Sequence, residues 1–288
     1  MATGVEINRS NITLPPEVGR EILAQMQTDS AVMKLSRQVT LPGRGLAIQA
    51  VTSDPSAAWV DETDEKPVSR PGLSTAIMQP YKLAVIVPFS NEFRRDADFL
   101  YEALVDRLPQ TLATKFDNTI VGTSAPGSNF TVLGSAQTQE IGTDAYAGLV
   151  EAAKDIAAHG GDMNGFALAP AGKGALLAAT DGNGRPLFVN SVAEGAVPYV
   201  LGAPVIISKG VEDSVNNIVG IAGDWTQAMY GTVEGVKIDI SDQATLTDGD
   251  DTINLFQRNM FAVRAEIELG FVADANCFNL LTATPAES

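Results

Sequence analysis

Residues 53–72 read SDPSAAWVDETDEKPVSRPG and residues 99–122 read FLYEALVDRLPQTLATKFDNTIVG, and the fold follows from meeting the second so soon after the first. The earlier stretch sets Asp54, Asp61, Glu62, Asp64 and Glu65 against Lys66 and Arg70, while Pro55, Pro67 and Pro71 interrupt any continuous ladder. It holds nothing that could bury itself. Its flanks alternate, with Leu46, Ile48 and Val51 on one side and Leu73, Ala76, Ile77, Tyr81, Leu83, Val85 and Val87 on the other, the pattern of two half-buried antiparallel strands. A two-stranded ribbon is marginal alone in water. A protein that keeps one must cover it, and another copy of the chain is the most economical cover.

The later stretch repeats Leu100, Leu104, Leu108, Leu112, Phe116 and Ile120 at every fourth position, a stripe that drifts slowly around one long helix. Pro109 lies inside it and frees the carbonyl of Val105, which predicts a bend or a break into two helices. Upstream, Leu14, Pro15 and Pro16 open a helix carrying Ile22, Leu23 and Met26, and Pro42, Gly43 and Gly45 end an arm too poor in apolar surface to be a domain.

Downstream, 122–142 reads as a polar connector, and Ala145, Leu149, Ala152, Ala153 and Ile156 mark a second helix closing at His159, Gly160 and Gly161. An α+β lobe then mixes strand 166–169, helix 174–179, a turn at 181–185 and strands 204–208, 218–222 and 226–231 around one sheet. The chain finishes with a strand at 236–240, an acidic loop holding Asp248, Asp250 and Asp251, a long β run from Asn259 to Gly270 and a closing strand at 275–281. These last strands are expected to pair with the base of the hairpin.

Composition narrows the chemistry. The 288 residues are 45% hydrophobic with mean hydropathy +0.07, enough for a sizeable core. No run approaches the roughly 20 apolar residues that span a bilayer, and the first residues carry no secretion signal, so synthesis in the cytosol is expected. A single cysteine, Cys277, excludes an internal disulfide, and with one histidine, His159, no standard zinc set exists. No metal or cofactor is expected. The formal charge of -16 argues against gripping phosphate backbones and for solubility at high local concentration.

Several spots invite chemistry and have a plainer account. Gly172, Lys173 and Gly174 lack the spacing and following Ser or Thr of a phosphate loop, and read better as a strand-to-helix turn. His159 sits at a helix C-terminus, where a donor caps the last carbonyls, and no Gly-x-Ser-x-Gly elbow supplies a nucleophile. The acidic loop lacks the alternating ligands of a calcium site. Trp59 and Trp225 read as packing or interface anchors.

Taken together, the arm, hairpin, long helix, mixed lobe and terminal strands resemble the major capsid proteins of tailed double-stranded DNA bacteriophages, the Hong Kong 97 type, over nearly the whole chain. The phrases that carry this are Pro88 to Asp96 as the lead into the spine helix, Asp117 and Gly122 at its end, Ala169-Pro170, Asp181 to Arg185, Leu201 to Val205, and Gly223-Asp224-Trp225, all in the family's order. The resemblance implies an N-terminal arm at 1–45, an E-loop hairpin at 46–87, a peripheral domain with the spine helix at 88–143, an axial domain at 144–232, and peripheral strands with the C-terminus at 233–288. It implies a structural protein, not an enzyme, that assembles as pentamers and hexamers into an icosahedral shell around double-stranded DNA without reading its sequence. Implied partners are further copies of the chain, contacted between capsomers through the E-loop and the N-terminal arm, a scaffolding protein and a portal, with decoration proteins left open and no membrane. The implied location is the virion, assembled in the bacterial cytoplasm.

A sharper implication concerns covalent cross-linking. In the cross-linking member of the family a lysine before proline in the E-loop joins an asparagine on a neighbour, with a glutamate seven residues after that asparagine as base. Here Lys66 precedes Pro67, and Glu266 follows Asn259 by seven. That chemistry needs Glu266 in an apolar pocket between Phe261, Val263 and Ile267 with a raised pKa. Strand alternation sets Phe261, Val263 and Ile267 on one face and Arg264 and Glu266 on the other, leaving the pocket open to question. The alternative is that Lys66 and Glu266 form intersubunit salt bridges and Asn259 an interface hydrogen bond. Two other readings of the chain stand beside the capsid one: an encapsulin-type compartment shell, and a monomeric enzyme using Gly172 to Gly174 and Lys173 as an anion site.

Overall fold

The computed structural model describes residues 16–53, 57–61, 65, 66, 68, 72–92, 97–181, 183–188, 199–249 and 251–283, without the side chains of 16–21, 49–53, 72–74, 97–106 and 248. In chain order the elements are α1 (Pro16–Asp29), α2 (Ala31–Leu35), β1 (Arg37–Thr40), β2 (Leu46–Ser53), β3 (Gly72–Met78), β4 (Tyr81–Ser90), α3 (Ala97–Val121), β5 (Gln137–Glu140), α4 (Ala145–Ala158), β6 (Gly165–Leu168) and α5 (Pro170–Ala178). There follow β7 (Tyr199–Val200), β8 (Ala203–Ile207), β9 (Ile218–Gly223), β10 (Ala228–Thr232), β11 (Lys237–Ser241), β12 (Thr245–Asp248), β13 (Asp251–Asn254), β14 (Met260–Ala273) and β15 (Phe278–Thr282).

Two sheets organise these elements. A six-stranded sheet runs β5-β15-β9-β6-β8-β7, with β9 buried at every residue. A five-stranded sheet is built on the fourteen-residue β14, which pairs with β4 along one side and with β11 and then β10 along the other, while β1 adds in parallel outside β10. The long helix α3 packs against this second sheet. Leu108, Leu112, Phe116 and Ile120 of its stripe are buried, and Phe116 meets Phe130 and Phe271 edge-on. Helix α3 is unbroken through Pro109. Burial of Leu108 and Leu112 on either side holds the helix together where the missing N–H alone would favour a break.

The ribbon is β2 paired with β3, from Leu46↔Met78 to Ser53↔Gly72, with a register shift near its far end. Leu46 and Ile48 are half-buried and Ala47 is exposed, so the alternation holds. The second flank divides, however. After Gln79 and Pro80 the chain leaves the ribbon, and 81–90 joins the five-stranded sheet in a ten-residue ladder with β14. Gly231 and Gly270 face each other across β10 and β14 beneath the ribbon base. A Cβ on Gly231 would fall 2.4 Å from Leu41, and one on Gly270 would fall 2.9 Å from Met78. The glycine pair therefore seats Leu41 and Met78, both buried, and so anchors the ribbon.

Three expectations need correction. The connector 122–142 contains β5 and buries Phe130 and Leu133; Gln137 to Glu140 look polar because β5 is an edge strand. The strand expected at 226–231 does not enter the lobe's sheet but pairs with β14 as β10. The closing strand does the reverse: β15 leaves the hairpin base and lies between β5 and β9. Local pattern identifies a strand but not which distant partner completes it. As for the acidic loop, β12 and β13 form a hairpin turning at Gly249, whose φ is +60°; Asp250 lies outside the described residues.

Helices α1 and α2 do not stand away from the body. Ile22, Met26, Val32 and Met33 belong to the same core as α3 and β14, and β1 is part of the five-stranded sheet. From residue 22 the arm packs on its own chain.

Candidate functional site

The surface most in need of a partner is the ribbon. Trp59 and Val60 on its tip are exposed, Trp59 completely, and Val68 is 86% exposed. Asp61, Glu65 and Lys66 are exposed with them. A tryptophan left wholly in water forgoes one of the largest apolar burials a side chain offers, which makes the tip a candidate interaction surface. The rest of the tip's expected charges and prolines, Asp54, Pro55, Glu62, Asp64, Pro67, Arg70 and Pro71, lie outside the described residues.

The three cross-link candidates are not brought together within the chain. Asn259 sits just before β14 in the left-handed region (φ +53°), its main-chain oxygen accepting from Asn91 N and its side-chain Oδ1 accepting from Asn91 Nδ2 at 2.8 Å. Asparagine tolerates this backbone better than most residues. Glu266 lies seven residues on, about 23 Å at the rise of a strand, so one chain cannot place both at one reaction centre.

Within the chain, Glu266 does not lie in the apolar pocket that a cross-linking base would need, as the alternation of the strand indicates. It projects from the solvent face of β14, opposite the buried Phe261, Val263 and Ile267. Lys82 on β4 donates to it at 2.7 Å, and Arg264 stands 4.0 Å away. The hydrogen bond from Lys82, with the charges of Lys82 and Arg264, holds the Glu266 carboxyl below its ordinary range against the opposing effect of burial, and Glu266 raises Lys82 in turn. Arg264 in turn donates to Asp239 on β11 at 2.6 Å. The face is a ladder of cross-strand ion pairs, and a carboxylate held ionised in this way is a weak base.

A buried carboxylate that the sequence offered only as the end of the long helix joins three segments. Asp117 is fully buried on α3. It accepts from Ser30 Oγ and Ala31 N at the joint of α1 and α2, and from Ser208 Oγ just after β8. Ser30 and Ser208 are themselves caps, accepting from Met33 N and Gly210 N. Desolvation pushes the Asp117 carboxyl up to about 6 despite these donors. The signal was available: Asp117 shares the inward stripe with Ala113, Ile120 and Val121, where a lone acid must find partners.

A second joint lies where the chain crosses between the sheets. It leaves β9 for β10 through Asp224 and leaves β14 for β15 through Asp274, each aspartate capping a short 3-10 turn, and Asp224 N donates to Cys277 O across the two crossings. Burial pushes the Asp224 carboxyl up, but donors from Thr226, Asp162 and Asn164 outweigh it and leave it low. Trp225 is buried against Phe278 and donates from Nε1 to Gly165 O, a packing anchor.

The remaining candidates take their plainer roles. His159 is the C-cap residue of α4, its Nδ1 2.9 Å from Asp155 O. Gly172 lies against the Val219 carbonyl in the first turn of α5 with Pro170 at its start, leaving no phosphate cradle. Among the described residues no group of acidic, histidine or cysteine side chains could hold a metal ion, and no helix is long and apolar enough to cross a membrane.

Comparison with known proteins agrees with this arrangement. The profile described as "Phage capsid family" matches residues 10–282. A protein of Mycobacterium phage L5 described as "Probable major capsid protein gp17" is 30% identical over 296 residues, covering 95% of this chain and 90% of its own. The "Major capsid protein" of Staphylococcus phage 80alpha is 23% identical, covering 92% and 83%. Among solved structures, one from Gordonia phage Cozz superposes with a TM-score of 0.70 at 23% identity over 90% and 87% of the two chains. One from Mycobacterium phage Bobi gives 0.72 at 18% identity over 99% and 96%.

Proposed function

The chain belongs to the phage capsid family, and from that premise we propose how its parts divide the work of a shell. It is a major capsid protein, a structural component of the virion and not an enzyme, and its relatives are phage shell proteins and not the encapsulin alternative. Copies form pentamers and hexamers, with the lobe of the six-stranded sheet around each local axis, the five-stranded sheet at the periphery, and the ribbon laid over a neighbour. The observation that carries this is the ribbon itself: an anchored two-stranded ladder whose tip leaves Trp59 entirely in solvent. Such a ladder gains its stabilisation between chains, where each modest contact repeats over many copies.

The net charge of -16 supports a container that encloses double-stranded DNA without gripping it. Assembly takes place in the host cytoplasm on a separate scaffolding protein with a portal at one vertex. The test is to remove residues 53–72. The truncated subunit should fold and fail to close into shells seen by electron microscopy; normal closed shells would contradict the role of the ribbon.

For Lys66, Asn259 and Glu266 we favour interface ion pairs and a hydrogen bond over an isopeptide bond, because Glu266 is held ionised by Lys82. Shells boiled in denaturant should give one band at the 30.2 kDa monomer. A ladder of covalent multimers would overturn this.

A further inference from the structure

Among the described residues the six-stranded sheet ends in the β7–β8 hairpin at one edge and in β5 at the other. Tyr199 pairs with Pro204 and Val200 with Ala203, so Leu201 and Gly202 alone form the turn of that hairpin, with φ of +49° and +82°. Positive φ at both positions is a type I′ turn, whose first residue is ordinarily Asn, Asp or Gly. A leucine there is strained, and it is still 45% exposed. Tyr199 beside it is 66% exposed, whereas Val200 and Ala203 are buried and fix the hairpin to the lobe. A rigid turn thus holds an apolar side chain outward, and strain kept in place by a packed surround points to a use.

On the β5 side the lobe carries a hollow of about 530 Å³. Residues 141–146, which leave β5 and open α4, form one wall, and Ala175 and Ala178 of α5 form another. The small side chains of α5 leave the space, Tyr146 and Leu187 stand half in solvent along it, and Asp144 and Asp181 add carboxylates. The two edges of the sheet are five strand spacings apart, about 24 Å. A turn at one edge and a hollow towards the other make a head-to-tail pair, in which each copy offers its turn to the next and receives one from the copy behind. Contacts of this heterologous kind close into rings, where a self-complementary patch would stop at a dimer.

We propose that the Leu201–Gly202 turn of one copy seats in the hollow between α4 and α5 of the next, with Leu201 against Ala175, Ala178 and Leu187, and with Tyr199 packed on Tyr146 and its hydroxyl donating to Asp144 or Asp181. A second copy is the occupant because the chain itself presents the apolar side chain that the hollow lacks, and because its family builds shells from many copies. The inference rests on the shell reading above and gives it the contact that closes each ring. A two-residue turn can tilt within an open hollow, so one contact serves pentamers and hexamers alike.

The native thiol of Cys277 is buried, so introduced cysteines can be linked selectively. Shells of the full chain carrying Leu201→Cys and Leu187→Cys, treated with a short bis-maleimide and run on a denaturing gel, should give a ladder that rises to five and six chains and stops, while either substitution alone should give monomer. No ladder in well-formed shells, a ladder that ends at two chains, or dimers from a single substitution would each overturn the docking and leave the shell reading intact. A wild-type chain that forms no particles with its scaffold would overturn both.

Should the doubly substituted chain not assemble, Leu201→Asn separates the fold from the contact. Asparagine suits a type I′ turn better than leucine, so the isolated subunit should unfold at an equal or higher urea concentration while the yield of shells falls at least about tenfold. Shells at the wild-type yield, or a subunit weakened by the change, would overturn the proposal.

Discussion

Strand β9 and the ribbon are built from opposite materials. Ile218 to Gly223 is buried at every residue, flanked by strands on both sides and covered by Leu168, Phe278 and Leu281. The ribbon has strand pairing on one side only, and beyond Ser53 the described residues of its tip are all exposed. One region satisfies its backbone and apolar surface inside the chain. The other carries the same kinds of capacity and leaves them unused. A subunit of this design is stable where it needs nothing from its neighbours and adhesive where it does, so substitutions should separate into those felt by the lone subunit and those felt by the assembly.

The largest effect on the lone subunit belongs to the first region. Phe278→Ala removes a buried ring packed edge-on to Trp225 at 5.2 Å and fitted against Gly223. It should cost about 3–5 kcal/mol of subunit stability in urea unfolding. A loss as small as that of a surface change would mean the six-stranded sheet is not the self-sufficient part.

Asp117→Ala comes next. It strands the Ser30 and Ser208 hydroxyls and the Ala31 amide in the interior, at about 1–3 kcal/mol. Its pH dependence sharpens the point. An acid whose carboxyl is raised from 3.8 to about 6 in the folded chain binds its proton more tightly there than when unfolded. Its contribution therefore grows as pH falls from about 6 towards 4, by up to about 3 kcal/mol, and vanishes again above pH 6. Wild-type stability should show this rise and Asp117→Asn should not; parallel curves would contradict the assignment. Low carboxyls such as Asp224 and Asp213 work in the opposite sense as they protonate below about pH 4, which confines the Asp117 signal to the window above.

How much of this could be read from the chain depends on how local the cause is. The ribbon, α3 and α4 were legible because their signals are periods and punctuation within one stretch: alternation from Leu46, the four-residue stripe from Leu100, the stop at Gly160. The placement of 226–231 and of the closing strand was not. Each lies just after an aspartate-capped crossing, and nothing in Ala228 to Thr232 or Phe278 to Thr282 says which sheet waits on the far side. The face of Glu266 was legible, since alternation already set it with Arg264 opposite Phe261, Val263 and Ile267; what alternation within one strand could not supply is Lys82 from β4, whose charge decides the ionisation. Asp117 was passed over as a helix end, though its place among Ala113, Ile120 and Val121 marked it as buried.

The smallest effect on the lone subunit belongs to the ribbon. Trp59→Ala should change subunit stability by no more than about 0.5 kcal/mol, since the side chain is fully exposed, yet it should weaken shells.

The most direct measurement follows from the chain having two tryptophans, one fully exposed and one buried. Acrylamide quenching, with Trp59→Phe used to subtract Trp225, isolates the signal of Trp59. The account predicts that Trp59 is quenched as readily as free indole in subunits and becomes protected in closed shells. Equal quenching in subunits and shells would contradict it.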